Sequence, residues 1–116
     1  MSVRRMERIN EFIKREVCFL LQREIKDRRI GFVTVLECSV APDLSEAKIY
    51  VSVMGSKKQK ADTMAGLGSA APFMRSQLGK HITLRYTPKL IFFLDETAEK
   101  AARVEELLDK IRTCPP

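Results

Sequence analysis

Basic side chains in the first 27 residues recur at the spacing of one helix face. On a helical wheel, a narrow arc of about 40° holds Arg4, Arg8, Arg15 and Lys26. An apolar stripe of Met6, Ile9, Ile13, Val17 and Leu20 lies more than about 90° away from the centre of that arc. A row of cations opposite a core-facing stripe predicts a helix that packs on one side and binds phosphate groups on the other.

Two aromatic residues, Phe12 and Phe19, are seven positions apart and fall beside the basic arc. Phenylalanines among arginines can stack on the bases of single-stranded RNA. They can equally be core residues that another element of the fold covers. We favour the second interpretation, with the final helix of the chain as the element that covers them.

A run of small residues follows a predicted helix at 59–67 and forms a second candidate site. Helical spacing resumes at Phe73, so two glycines and Pro72 predict two helices that meet at a kink, with Ser69 as N-cap of the second. A helix N-terminus offers free backbone N–H groups to a phosphate. The residues of this candidate site are Ser69, Ala70, Ala71, Arg75 and Lys80. A purely structural turn is the alternative.

Residues suited to catalysis or metal binding are sparse. His81 is the single histidine, and the three cysteines contain no Cys-x-x-Cys pair. Free thiols in a reducing compartment are therefore expected. The acidic residues after position 95 fit the solvent-exposed face of an amphipathic helix better than a metal site. We find no phosphate-loop or dinucleotide motif and expect no enzyme activity, no metal and no cofactor.

Length and charge narrow the possible partners. The 116 residues allow one domain, and the net charge of +6 favours a polyanion. Residues 1–94 hold seventeen Lys or Arg against nine Asp or Glu, whereas residues 95–116 hold four against six. The longest wholly apolar runs have five residues, so neither a membrane span nor a signal peptide is expected. The pattern predicts a basic, cytoplasmic body followed by an acidic segment.

The predicted elements alternate between helix and strand spacing. Residues 32–40 and 46–54 form a hairpin, with a β-bulge near Leu36–Glu37 where the apolar phase shifts by one. The full order is helix 3–27, strand 32–40, strand 46–54, helix 59–67, the kink, a helix to Leu78, a strand at 81–87 continued by Leu90–Leu94, and a last helix. This is an α+β protein. Ile82, Leu84 and Tyr86 are expected to point inward.

Strand, helix, turn, helix, strand is the organisation of a KH domain, whose turn normally carries Gly-x-x-Gly. This chain contains no Gly-x-x-Gly, but five segments resemble the ribosome-binding factor A family. They are the first-helix end Leu20–Gly31, the hairpin Ser39–Val53, the kink and helix Ser69–Lys80, the strand Leu84–Leu90 and the terminal segment Ala102–Leu108. The resemblance covers nearly the whole chain.

The resemblance implies a KH fold of the second type at 1–96, with an alanine-centred kink in place of Gly-x-x-Gly, and a C-terminal acidic helix and tail at 97–116. It implies a monomeric bacterial factor that binds the free 30S small ribosomal subunit through 16S rRNA. Such a factor supports late subunit maturation and 16S rRNA processing, above all in the cold. Small-subunit maturation GTPases are further candidate partners. The family usually has Gly where this chain has Pro72.

We therefore predict that basic residues and the kink contact rRNA. The predicted contacts are Arg4, Arg5, Arg8, Arg15, Arg28, Arg29, Ser69, Ala70, Ala71, Arg75, Lys80, Arg85 and Lys89. A general module for single-stranded RNA and a protein–protein adaptor remain as alternatives. Binding that falls steeply with salt separates an RNA binder from an adaptor.

Overall fold

A computed structural model describes residues 3–82, 84 and 86–96 of the chain. In chain order the elements are helix α1 (Val3–Arg23), strands β1 (Val33–Val40) and β2 (Glu46–Val53), helix α2 (Lys57–Gly79) and strand β3 (Lys89–Leu94). The strands form one sheet in the order β1-β2-β3. The α+β class is confirmed. The predicted final helix lies outside the described residues.

Helix α1 buries the apolar stripe that its sequence predicts, with Ile13 and Val17 fully buried. It ends at Arg23, four residues earlier than predicted. The N–H groups of Glu24 and Ile25 both donate to the Leu20 carbonyl, at 2.9 and 3.0 Å, and close the last turn. Beyond this turn Asp27 Oδ1 accepts the backbone N–H of Arg29 at 2.9 Å, a local bond that helical spacing alone does not predict.

Strands β1 and β2 form the predicted antiparallel hairpin. Its register shifts between Val35 and Glu37, which confirms the predicted bulge. All four predicted core positions of β2, Ala47, Ile49, Val51 and Val53, are buried. The bulge allows β1 to keep apolar residues on the core face on both sides of the shift.

Strand β3 runs parallel to β2, and its first residue is Lys89. The prediction of strand structure at 81–87 was wrong for residues 81, 82, 84, 86 and 87, which are the described ones. His81 and Ile82 still donate their N–H groups to the Leu78 carbonyl, at 3.0 and 3.1 Å, so the chain is finishing the turn of α2 there. Tyr86 is exposed rather than inward. The strand starts only after Pro88, which cannot donate to a ladder.

Helix α2 runs unbroken from Lys57 to Gly79 with Pro72 inside it, so the prediction of two separate helices, the second starting at Ser69, was wrong. Ser56 is its N-cap and forms a capping box with Gln59. Leu67, Met74 and Leu78 keep one helical phase across Pro72 and are all fully buried. A break at the proline would take these side chains out of register with the sheet, so core packing outweighs the local preference for a break.

The two helices cover the same face of the sheet, α1 against β1 and α2 against β3. The other face carries Lys48 and Tyr50 on β2 and Ile91 and Phe93 on β3. The Tyr50 and Phe93 rings stack there with centroids 5.6 Å apart. No helix in the described part of the chain is long and apolar enough to span a bilayer.

Candidate nucleic-acid interface

A groove of about 680 Å³ runs between α2 and β3 and is named the α2–β3 groove. Within residues 3–82, 84 and 86–96, strand β3 pairs only with β2, and its outer edge faces this groove. Among the same residues, Arg75 and Lys89 are the cations that line the groove, and no carboxylate lines it. The other lining residues are Met64, Gly68, Ala71, Pro72, Leu90, Ile91 and Phe92. The groove thus combines an apolar floor with positive charge.

The guanidinium of Arg75 is held in place by the chain that leads into β3. Its Nε and Nη2 donate to the Thr87 carbonyl oxygen at 3.1 and 3.0 Å. Since guanidinium has five N–H donors, these two bonds leave others directed at the groove. A pre-oriented guanidinium of this kind suits a phosphate oxygen.

The continuous helix changes the role of the small residues at 68–72. The N–H groups of residues 68–71 lie inside α2, where i→i−4 bonds use them, so no helix N-terminus is available to a phosphate at this position. Ala71 lines the groove, whereas Ser69 and Ala70 do not. The N–H cradle expected at this position is therefore absent, and small size remains as the functional property of Ala71 and Gly68.

Pro72 supplies a feature that sequence reasoning missed. Proline has no N–H, so the carbonyl of Gly68, four residues earlier, lacks its usual helical donor. Gly68 is exposed, and a Cβ placed there would meet nothing within 4 Å. A carbonyl oxygen without its helical donor keeps its capacity to accept a hydrogen bond, for instance from a ribose hydroxyl or a base amine.

The predicted basic face of α1 exists, but acidic residues interrupt it. A shallow depression of about 490 Å³ is lined by Arg4, Glu7, Arg8, Glu11, Phe12 and Arg15. On the helical wheel Glu11 lies about 20° from the edge of the basic arc. The carboxylates lower the positive potential of this surface, so α1 is a weaker phosphate site than its arginines alone indicate.

The segment that follows α2 lies between the two basic surfaces, the α2–β3 groove and the basic face of α1. Arg5, Arg8, His81 and Ile82 border one small cavity, which places the start of α1 beside the end of α2. Lys80 is exposed at the C-cap of α2. The two surfaces thus occupy neighbouring flanks of one end of the molecule.

Arg28 and Arg29 lie at the other end, beyond the end of α1. Thr63 Oγ1, early in α2, donates to the Arg29 carbonyl at 3.2 Å and fixes their position. The Arg29 guanidinium donates to Asp27 through Nη2 at 2.7 Å and lowers the pKa of that carboxyl to about 2. The charge of Arg28 is therefore more available to a ligand than the charge of Arg29. The residues predicted to contact rRNA do not form one contiguous site.

Three other predictions concern residues at or beyond the described part. Arg85 and the acidic helix at 97–116 lie outside the described residues. Phe12 and Phe19 are 36% and 50% exposed to solvent. The Arg23 guanidinium carbon lies 5.6 Å from the centre of the Phe19 ring, a cation–π contact. Arg23 therefore already occupies part of one proposed stacking surface.

The two cysteines of the described residues, Cys18 and Cys38, are free thiols. Burial raises the pKa of Cys38 to about 12 and also raises the pKa of Cys18. A thiol with a raised pKa is a poor nucleophile at neutral pH.

Comparison of the sequence with known protein families matches residues 5–108 to the family described as ribosome-binding factor A. A protein of that name from Acetivibrio thermocellus is 45% identical over 107 residues, which cover 91% of this chain and 87% of the relative. Another from Desulforamulus reducens is 46% identical over 109 residues, covering 94% and 91% of the two chains.

Solved structures show the same fold at lower sequence identity. The crystal structure of ribosome-binding factor A from Thermus thermophilus superposes with a TM-score of 0.68 at 20% identity, covering 77% of this chain and 94% of that one. A Thermus thermophilus homology model, fitted into a cryo-EM map of a 30S complex, gives 0.61 at 20% identity over 76% and 92%. The KH-like fold predicted from the sequence is confirmed.

Proposed function

The chain belongs to the ribosome-binding factor A family, and we propose that it binds the free 30S ribosomal subunit through 16S rRNA. In this proposal it supports late maturation of the subunit and processing of 16S rRNA. The name of the relatives and the 30S complex of the Thermus thermophilus protein support the partner. The charges and hydrogen bonds of the described residues support contact with RNA phosphates.

The observation that carries the proposal is the α2–β3 groove. Its cations are Arg75, held by Thr87, and Lys89, and none of the described residues that line it is a carboxylate that would repel a phosphate. Its width is kept by residues without large side chains, Gly68 and Ala71. An RNA strand in this groove places phosphates on the cations and ribose or base donors near the Gly68 carbonyl.

The basic residues at the same end extend this contact surface in the proposal. Arg4, Arg8 and Lys80 are exposed, and none of them forms an ion pair with another described residue. Phosphate contacts from such side chains give affinity without sequence preference. The shape of the subunit rRNA therefore has to supply the specificity.

We further propose a monomeric, cytoplasmic protein that acts without catalysis or cofactor. The raised thiol pKa values and the exposed position of His81 in a turn support a non-catalytic role. Small-subunit maturation GTPases remain candidate partners on the family resemblance alone. Residues 1–96 are proposed as the RNA-binding domain and residues 97–116 as a separate acidic segment.

Co-sedimentation with purified ribosomal particles tests the function. We expect the protein to pellet with free 30S subunits and to remain in the supernatant with 50S subunits and intact 70S ribosomes. Failure to pellet with 30S subunits, or equal pelleting with 50S subunits, contradicts the proposal. Binding of a short single-stranded RNA as tightly as 30S subunits favours a general RNA-binding module instead.

A further inference from the structure

Two of the most exposed large apolar side chains form a pair at the open end of the hairpin. Phe32 is 83% exposed and Met54 is 75% exposed. The Met54 N–H donates to the Phe32 carbonyl at 3.2 Å, which continues the β1–β2 register by one pair. Since Val33 and Val53 face the core, alternation turns Phe32 and Met54 to the opposite face of the sheet.

The charge around this pair is strongly positive. Residues 23–32 and 54–62 together hold seven Lys or Arg and three Asp or Glu. One of the acidic residues, Asp27, is already bound by Arg29. Among the described residues, none of Arg28, Lys57 and Lys58 forms an ion pair. A polyanion therefore complements this end of the molecule better than a neutral protein surface of equal size.

Glycines flank both apolar residues, Gly31 before Phe32 and Gly55 after Met54. Gly55 has φ +135°, a conformation that favours glycine, and a side chain there would collide with Gln59. At Gly31 a Cβ would meet only Thr63 Oγ1, at 3.7 Å. The Gln59 side chain thus fills the space beside Gly55, whereas Gly31 is exposed and leaves the backbone beside Phe32 open to close approach by a sugar-phosphate chain.

The chain that leads into Phe32 is fixed before any partner arrives. Thr63 is 1% exposed, and its hydroxyl donates to the Arg29 carbonyl and accepts the Gly31 N–H, both at 3.2 Å. A Cβ at Gly66 would lie 2.7 Å from Ile30 Cγ1, so the loop packs directly on the α2 backbone. Because the backbone before Phe32 is already ordered, stacking of a base on the ring requires no ordering of this loop.

We propose that Phe32, Met54, Arg28, Lys57 and Lys58, named the Phe32 surface, form a second contact for single-stranded RNA. An unpaired base stacks on Phe32 beside Met54, and the neighbouring phosphates bind the three cations. The surface lies at the opposite end of the fold from Arg4, Arg8 and Lys80. The inference rests on the proposed function, and it means that one molecule holds two rRNA segments.

Binding of variants to 30S subunits tests the proposal. Phe32→Ala is expected to weaken binding by about fivefold or more, the usual effect of losing one base–aromatic stack. Lys57→Ala is expected to lower the slope of log affinity against log salt by about 0.7–0.9, the value for one phosphate contact. The control is Phe73→Ala, an exposed phenylalanine that does not line the α2–β3 groove and is expected to bind as wild type.

Photo-crosslinking identifies the occupant directly. With p-benzoylphenylalanine in place of Phe32, we expect crosslinks to 16S rRNA in the 30S complex. We expect fewer such crosslinks when p-benzoylphenylalanine replaces Phe73 instead. Crosslinks to a ribosomal protein, or to residues of the chain itself, overturn the proposal. So does wild-type affinity of Phe32→Ala, while the proposed function then stands. Failure of the wild-type protein to bind 30S subunits overturns both.

Discussion

Replacing Gly66 and Gly68 by alanine, one at a time, is expected to change stability in opposite directions. The two glycines lie two residues apart in α2. Alanine is favoured over glycine in a helix by about 0.8–1.0 kcal/mol. At Gly68 a Cβ meets nothing within 4 Å, so Gly68→Ala is expected to stabilise the protein by most of that amount.

At Gly66 the same methyl group meets the packed loop. The Cβ would lie 2.7 Å from Ile30 Cγ1 and 3.4 Å from both Arg29 Cβ and Ile30 Cδ1. Overpacking of this kind costs typically about 1–3 kcal/mol, which exceeds the helix gain. Gly66→Ala is therefore expected to destabilise the protein by about 1 kcal/mol, leaving the two variants about 2 kcal/mol apart.

Urea denaturation followed by far-UV circular dichroism measures the free energy of unfolding of both variants. The opposite signs require that both glycines are helical and that only one of them faces the loop. A fall in stability for Gly68→Ala contradicts the continuous helix. Equal gains in both variants contradict the packing of the loop on α2.

Three further predictions concern the loop, the buried thiol and the groove. Thr63→Val is expected to lower the free energy of unfolding by about 2 kcal/mol, because two hydrogen bonds of its hydroxyl are lost. The same change at the exposed Thr34 is the control, and equal effects of the two would contradict the account. The Cys38 thiol is expected to make the free energy of unfolding of the wild type fall as pH rises from 9.0, the ordinary thiol pKa, to about 12, because only the unfolded thiol ionises freely in that range. Cys38→Ala is expected to lack this fall. Identical pH profiles of the two proteins by urea denaturation would contradict this. Arg75→Ala and Lys89→Ala are each expected to lower the slope of log affinity for 30S subunits against log salt by about 0.7–0.9, and unchanged slopes would remove these residues from the interface.

The hairpin was predictable because its signals are local. Alternating apolar residues define β2, and a shift in that alternation marks the bulge between Val35 and Glu37. The apolar stripe of α1 gave its buried face in the same way. These patterns depend on neighbours in sequence, so one sequence is enough to interpret them.

The continuity of α2 was not predictable from local propensity because long-range packing decides it. Gly66 is small so that Ile30 can approach, not so that the helix can break. Buried Leu67 and Met74 keep α2 in phase across Pro72. A glycine that breaks a helix and a glycine that admits a neighbour look alike in sequence, and only the three-dimensional contacts distinguish them.

The candidate site was only partly predictable, again because tertiary structure decides which residues come together. Arg75 and Lys89 are brought to one groove, whereas Arg28 and Arg29 lie at the far end of the fold. Net charge identifies a polyanion partner without giving the relative positions of the cations. Parallel pairing of β3 with β2 sets those positions, and it follows from tertiary structure rather than from residue spacing.

The most direct test of the central claim compares two glutamates placed on neighbouring faces of α2. Gly68→Glu puts a carboxylate into the α2–β3 groove, where the glycine is exposed and has open space. Ser69→Glu adds the same charge one residue later, at an exposed position that does not line the groove. Both variants are expected to unfold cooperatively, as checked by circular dichroism.

The decisive measurement is the equilibrium affinity of both variants for 30S subunits at one salt concentration. If rRNA occupies the groove, Gly68→Glu loses about tenfold or more in affinity, because a carboxylate then replaces open space next to a phosphate, while Ser69→Glu loses much less. Equal affinities of the two variants would show that rRNA does not enter the α2–β3 groove.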